Sequence, residues 1–430
     1  MKILNLNELA KNDIRKVALE LAETGLEAID TESVINKNIF FKNNILDVFG
    51  KQFKVDKDGK FIVIGVGKCA INAVKTIQNI FGDRITDGIV LDIKEGDIKN
   101  IKTYVGTHPF PSEQNVEATK EIISKLKNLK ENDFVFFVIS GGGSTLLCQP
   151  ENFSYENEQL LLRHLFSTGA TIEEINTVRK HISLARGGYL AKDAYPAQAV
   201  SIIFSDVLNN DLGFVSSGPT VKDLTTIKDA QLVLDKYDPA RNFNIIYKNL
   251  IETPKEDKYF ERVANILAVD NNIALNAMKK KGIELGFKTT IVSSSLSGEA
   301  RDVGAMIAKN LHDADDKSIF LYGGETTVTI SNENGVGGRN QEVALGALLN
   351  IYDDELVMSV ASDGIDNTSF GGAFCDILTK EVSNRKNLAP EVFLKENRSY
   401  DFFSTEGDYL MMGDTGSNVS DLMIGIKYKK

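Results

Sequence analysis

Residues 61–65, Phe-Ile-Val-Ile-Gly, are apolar without a break, and the run passes directly into Gly65-Val66-Gly67-Lys68 before residues 70–81 return to helical spacing. The unit is a strand, a tight turn and a helix. The same grammar recurs: residues 88–92 read as a second buried strand, and residues 133–140 as a third that runs into Gly141-Gly142-Gly143-Ser144-Thr145 and another helix start. Strands that do not alternate are covered on both faces, and buried strands alternating with helices predict a mainly parallel sheet. Helices follow over 158–167 and 173–186, then a strand over 199–206 that ends on an acid. Open parallel sheets bind ligands at the carboxyl ends of their strands, where Gly65, Ser140 and Asp206 lie.

A chain of 430 residues exceeds what one hydrophobic core usually organises. The expectation is an α/β protein of two α/β/α domains. The first, residues 1–254, is Rossmann-like with a mainly parallel sheet; the second, residues 255–430, has a mixed sheet; the active site is expected in the cleft between them. The boundary is placed near Pro254 because residues 238–258 mix proline, asparagine and charge. An amphipathic helix is predicted over 9–28. Beyond the boundary, strands are predicted at 265–269, 289–293, 318–322, 326–330 and 356–362, with a hairpin where 326–330 alternates into the glycine-rich stretch 334–338.

The formal charge of −11 argues against nucleic acid or an anionic membrane surface as partner, while leaving room for a small anion held by a few converging cations. Cys69, Cys148 and Cys375 are widely spaced and odd in number, which fits a reducing compartment. The first thirty residues interleave charge with apolar residues and contain no signal-peptide core, and no stretch is apolar enough to span a bilayer, so the expected location is the cytoplasm. The oligomeric state is left open, a homodimer included.

Phosphoryl transfer needs backbone N–H groups for phosphate oxygens, cations for developing charge and carboxylates for Mg²⁺. Gly65 and Gly67, and likewise Ser140 to Ser144 (with Gly141, Gly142 and Gly143), sit where bare backbone approaches an anion beside a helix start. Neither loop is a P-loop, since Ile62 and Cys69 occupy positions that motif reserves for Gly and Ser or Thr. Either alone is equally a tight turn; two in one domain favour phosphate. Lys68 can serve as a point charge, or be a solvated lysine at a helix start. Arg339, in Gly337-Gly338-Arg339-Asn340-Gln341-Glu342, can clamp an anion with two bonds, and Asn340 can contact substrate or cap a helix. Asp206, Glu325 after Gly324, Asp363 and Asp366 are candidate carboxylates for metal or nucleotide, with turn formation the alternative for the last two. His108 lies on a proline-flanked loop, and Arg179-Lys180-His181 is the concentrated cationic trio of the first domain. It can bind a carboxylate or be a helix face.

In order along the chain, GVGKCA at Gly65, GTHPFPSEQN at Gly106, ISGGGSTLL at Ile139, INTVRKHIS at Ile175, SDVLNNDLGFVSSGPTVKD at Ser205, SGEARDVG at Ser297, GGETTVTI at Gly323, GGRNQEVALGAL at Gly337, SDGIDNTSFGGAF at Ser362 and SNVSDL at Ser417 resemble the class II glycerate kinases, the glycerate 2-kinase family with its C-terminal MOFRL region. The resemblance covers the chain from about residue 60 onward. It implies transfer from ATP, with Mg²⁺, to the 2-hydroxyl of D-glycerate, with Lys68 and Arg339 matching the family's catalytic basic pair. In that reading the loops at Gly65 and Ser140, with Gly324 and Glu325, hold nucleotide. His108, Arg179, Lys180 and Asn340 meet the acceptor, and Asp206 and Asp363 hold the metal. Asn209-Asn210, Asn367 and the segment GDTGSN depart from the family pattern, so a related hydroxy or sugar acid stays open.

Two other readings compete. GVGKCA also fits the dinucleotide fingerprint, with Asp92 as the ribose-binding acid of an NAD(P)-dependent hydroxypyruvate reductase. A nucleotide-binding protein without turnover is the second.

Overall fold

A computed structural model describes residues 1–205 and 211–429. The chain divides into two compact units, one formed by Val34–Ala268 and the other by Met1–Ser33 together with Val269–Lys430.

In the Val34–Ala268 unit, β1 (Ile39–Lys42), β2 (Ile45–Val48) and β3 (Lys51–Lys54) form an antiparallel meander. Asn43 and Asn44 both take positive φ between β1 and β2, as a primed hairpin turn requires. Phe41 carries the meander onto Phe81 and Phe61, the latter stacked on Phe134 at 5.3 Å between ring centroids. The main sheet contains β4 (Phe61–Val66), β5 (Asp87–Asp92), β6 (Lys102–Val105), β7 (Phe134–Ile139), β8 (Gln198–Phe204) and β9 (Val263–Val269), in the order β6-β5-β4-β7-β8-β9. From β6 to β8 all pairings are parallel. Counted within the sheet this is 3-2-1-4-5-6, the Rossmann order, with its topological switch between β4 and β7. Val66 lies opposite Ile139 and Leu91, so the turns after β4 and β7 leave from the same edge.

The other unit is built on β10 (Lys288–Leu296), β11 (Ser318–Gly324), β12 (Glu355–Ala361), β13 (Phe370–Cys375), β14 (Tyr409–Met411) and β15 (Asp421–Lys427), ordered β10-β11-β15-β12-β13-β14. β10 and β11 are parallel and the remaining pairs antiparallel, which makes the expected mixed sheet. Because β15 runs against both neighbours, its first residue, Asp421, stands opposite Gly324 at the end of β11 and Ala361 at the end of β12.

The units differ from the expected 1–254 and 255–430 at both ends. Residues 263–269 complete the first sheet as β9, joined to β8 beginning with the Ala199 N–H donating to Arg262 O. The N-terminal helix, Asp13–Ala28, belongs with the C-terminal residues because Arg15, fully buried, donates to both carboxylate oxygens of Asp376 and of Asp408 at 2.6–2.7 Å. That helix starts four residues later than predicted, at the Asn12 cap, whose side chain accepts from Arg15 N. Helix Ile172–Lys180 stops short of the predicted 186, and the hairpin expected at 326–330 does not form. There Thr327 makes a single bridge with Glu299, the Thr329 N–H donates to the Glu299 carboxylate, and the Ser331 N–H donates to Asn397. These side chains satisfy backbone that a second strand would have paired. No helix among the described residues is long and apolar enough to cross a membrane.

Candidate active site

Two clusters of polar side chains stand at strand ends, one in each unit. In the Val34–Ala268 unit the cluster is built on the switch point. Gly67 takes φ +121°, and a Cβ there would fall 2.2 Å from Ser140 Oγ, so the two turns interlock only if residue 67 has no side chain. The Lys68 N–H donates to Gly141 O at 3.0 Å and the Cys69 N–H to Ser140 Oγ at 3.3 Å. Gly65 lies within β4, where Val74 of helix Ala70–Phe81 packs against it, so it serves helix–sheet packing. The Lys68 side chain crosses Gly142: a Cβ at that glycine would lie 3.1 Å from Lys68 Cγ and 3.5 Å from His108 Cδ2. Its ammonium has no hydrogen bond or ion pair among the described residues.

Serines 216 and 217 underpin this loop. Ser216 Oγ donates to Ser140 O at 2.7 Å and lies against Gly143, while Ser217 Oγ contacts Ser144 Oγ at 2.9 Å and Asn176 Oδ1 at 2.8 Å. Both serines hold positive φ, 54° and 59°, a conformation that costs about 1–3 kcal/mol per residue and persists where surrounding bonds fix it.

Helix Ile172–Lys180 delivers Arg179 and Lys180, and the structure separates the pair. Lys180 Nζ donates to Asp223 at 3.2 Å, with both residues buried, and Asp223 also accepts from Thr225 and Thr253. Lys180 is therefore committed within the fold rather than open to a ligand as expected. Arg179 is 5% exposed, and among the described residues its guanidinium makes no hydrogen bond or ion pair. Burial, and then the neighbouring Arg186, push its pKa down to about 10. His108 is held neutral: burial first, then the charges of Lys68 and Arg179, push its pKa down to about 4. Lys68, His108 and Arg179 thus share one electropositive neighbourhood.

In the other unit, Arg339 opens helix Arg339–Leu348. Its Nε donates to Asp421 Oδ2 at 2.6 Å and its Nη2 to Asp421 Oδ1 at 3.1 Å, while Nη1 pairs with the half-exposed Glu325. The three carboxylates around it hold the half-buried guanidinium firmly charged against the cost of its partial desolvation. Asp421 is buried, which pushes its carboxyl up to about 7 against the opposing pull of Arg339 and Asn340. Asp366 accepts from the backbone N–H of Asn340 and of Gln341, so it caps the helix from a distant loop; a Cβ on Gly338 would overlap it at 2.2 Å. Asn340, expected to touch substrate, is buried and spent: its Nδ2 donates to Asp366 and Asp421, and its Oδ1 accepts from Ser359. Gly324 likewise serves the fold, its Cα facing Leu296 O across β10. Asp363 follows β12 and accepts from Ile365 N. Asp206, with Asn209 and Asn210, lies outside the described residues.

Sequence reasoning missed Asp421, Ser216, Ser217, Asn176 and Asp223. Asp421 and the serines lie inside motifs that carried the family resemblance, SNVSDL and SSGPT, and Asn176 inside INTVRKHIS; that was the available signal.

The dinucleotide reading fails at Asp92. Its carboxylate is buried and accepts from the N–H groups of Ile71 and Ile93, so it tethers the helix after β4 and has nothing to offer a ribose.

Known proteins resemble this chain over nearly its whole length. The family described as Domain of unknown function (DUF4147) matches residues 17–251, and the MOFRL family matches residues 318–421. A Pyrococcus horikoshii protein named glycerate 2-kinase is 37% identical, over 97% of this chain and 98% of its own. A Thermotoga maritima protein named D-glycerate 2-kinase is 33% identical, over 96% of this chain and 98% of its own. A crystal structure of glycerate kinase from Thermotoga maritima superposes with a TM-score of 0.85 at 32% identity, covering 96% of this chain and 99% of that one. With the Rossmann-order sheet, the mixed second sheet and both families matched in order, the chain belongs to the glycerate 2-kinase family.

Proposed function

We propose that the protein transfers the γ-phosphoryl group of ATP to the 2-hydroxyl of D-glycerate, giving 2-phosphoglycerate and ADP. The observation that carries the reading is Lys68: an ammonium uncommitted among the described residues, at the switch point of a Rossmann-order sheet and laid over a bare glycine turn. A cation with no partner among the described residues, where open α/β sheets bind ligands, is suited to a phosphate.

In the reaction the C2 oxygen forms a bond to γ-phosphorus, the bond from that phosphorus to the β,γ-bridging oxygen breaks, and its electron pair leaves with ADP while the hydroxyl proton is released. Charge spreads over the equatorial oxygens of the transferring group. In this reading, which takes Lys68 and Arg339 from their match to the family's catalytic basic pair, both neutralise it; within its own unit each is a fixed cation, Lys68 oriented by the Gly141–Gly142 turn and Arg339 by Asp421. The backbone N–H groups of the loop after β7 hold phosphate oxygens of the nucleotide.

Mg²⁺ takes one or two protein carboxylates and completes its shell with water and phosphate oxygens. Among the described residues no three histidine, cysteine or acidic side chains form a metal cage. Asp363, at the same sheet edge as Arg339, has the chemistry of a single donor, and in this reading Asp206 is the second. Bound Mg²⁺ supplies further charge neutralisation on the phosphates.

Purified protein given D-glycerate, ATP and Mg²⁺ releases ADP only when all three are present. Oxidation of NAD(P)H with hydroxypyruvate, and no ADP, would establish the reductase instead.

A further inference from the structure

Beside the loop that holds Lys68 lies a small buried cluster whose charges do not cancel. Among the described residues it contains two guanidinium groups, Arg179 and Arg186, and one carboxylate, Glu158. Arg186 takes that carboxylate for itself, its Nη2 donating to Glu158 Oε1 at 2.7 Å with both side chains fully buried. The other Glu158 oxygen faces Cys148 Sγ at 3.4 Å, and burial keeps that thiol protonated by raising its pKa well above the ordinary value. Among the described residues Arg179 is therefore a surplus cation, 5% exposed, whose Nε is buried and unbonded; its guanidinium lies 6.0 Å from the Phe166 ring.

Folding gains nothing by burying an unpaired guanidinium; the desolvation is a cost that remains until an anion arrives. The charge reaches the neighbourhood of His108 and Lys68, where the phosphate-binding loop turns. Lys180, one residue on, is excluded from the same role by Asp223.

We infer that Arg179 is the specificity residue for the acceptor, receiving the acceptor's carboxylate in a two-point pair and so restricting the enzyme to hydroxy acids. Guanidinium and carboxylate match as planar forks, with two parallel N–H···O bonds. A neutral polyol with the same hydroxyl groups cannot discharge the site. The inference rests on the kinase reading for the identity of the acceptor, but the binding step stands apart from turnover.

The test uses the full chain and two variants, Arg179→Gln and Arg179→Lys. D-Glycerate is titrated calorimetrically without nucleotide, and KM is measured separately for D-glycerate and ATP. Arg179→Gln should weaken D-glycerate about 10- to 100-fold in both Kd and KM, the range of one charged pair, with the KM for ATP within twofold. Arg179→Lys should recover part of the loss. In the wild type, glycerol should not bind. The ligand-free Tm of Arg179→Gln should equal or exceed that of the wild type, because an uncompensated charge has been removed. A rise confined to the KM for ATP would assign Arg179 to a nucleotide phosphate and overturn the inference. So would unchanged glycerate binding, or a fall in Tm without a change in affinity, which would make Arg179 structural. Absence of ADP formation in the wild type would refute the kinase reading alone; Arg179-dependent binding of D-glycerate would still support a carboxylate site.

Discussion

Arg339, the first residue of helix Arg339–Leu348, and Asp421, the first residue of β15, form a two-point ion pair, with Nε–Oδ2 at 2.6 Å, Nη2–Oδ1 at 3.1 Å and the carboxylate 1% exposed. The pair fixes both the position and the plane of the guanidinium before any ligand binds. A cation that needs no rearrangement is the form of electrostatic stabilisation that lowers a barrier most.

Asp421→Asn should therefore lower kcat about 10- to 100-fold, since it removes a charge-assisted partner while leaving the arginine itself. Arg339→Lys should do at least as much harm, because an ammonium cannot take both carboxylate oxygens in one plane. Steady-state kinetics with ATP and D-glycerate, with Tm alongside, checks both. A normal kcat in Asp421→Asn would remove the clamp from the account.

Lys68 has no internal partner to lose among the described residues. Lys68→Met should reduce kcat about 10²- to 10³-fold, as loss of one fixed transition-state donor does elsewhere, and leave Tm almost unchanged. Loss of activity with a large fall in Tm would contradict this.

His108 carries a pH dependence with a defined sign. Its folded pKa, about 4, lies below its unfolded value of 6.5, so the unfolded chain binds the extra proton first as pH falls. The contribution to stability is complete above pH 6.5 and is lost as pH falls from 6.5 toward 4. Denaturant titrations of His108→Gln should show a shallower decline over that window than the wild type. Because Lys68 and Arg179 help to depress the imidazole, an anion bound to them should raise its pKa, which an NMR titration with and without D-glycerate would read.

Arg15 tests the assignment of the N-terminal helix. Its guanidinium bridges Asp376 and Asp408 in full burial. Arg15→Ala leaves two buried carboxylates without their cation and should cost about 3–5 kcal/mol in urea unfolding. A loss under 1 kcal/mol would show that the helix is not anchored there.

The first sheet was legible because its evidence is local. Uninterrupted apolar runs such as 61–65, which ends in glycine, and 134–139, which is followed by Ser140 and three glycines, announce both a buried strand and the turn after it. Gly67 and Lys68 could be singled out for the same reason. The hairpin turn at Asn43-Asn44 was also written locally, in two residues that tolerate positive φ, but went unread.

What escaped depends on long-range register and partner choice. A lone aspartate before an apolar strand, as at Asp421, is unremarkable until β15 is inserted antiparallel between β11 and β12 and carries it to Gly324 and Ala361. Arg179 and Lys180 are indistinguishable as neighbours in sequence. Asp223, 43 residues past Lys180, takes one and leaves the other. The extended segment at 326–330 had a strand's alternation, yet Glu299 and Asn397 compete successfully for its backbone.

The central claim is the bond that forms. Purified protein should be incubated with ATP, Mg²⁺ and D-glycerate, and the product examined by proton-coupled phosphorus NMR. Phosphate on the C2 oxygen couples to a single carbon-bound proton and gives a doublet, the predicted result; a triplet, from phosphate beside the two protons of C3, or no new phosphate ester at all, would contradict the account.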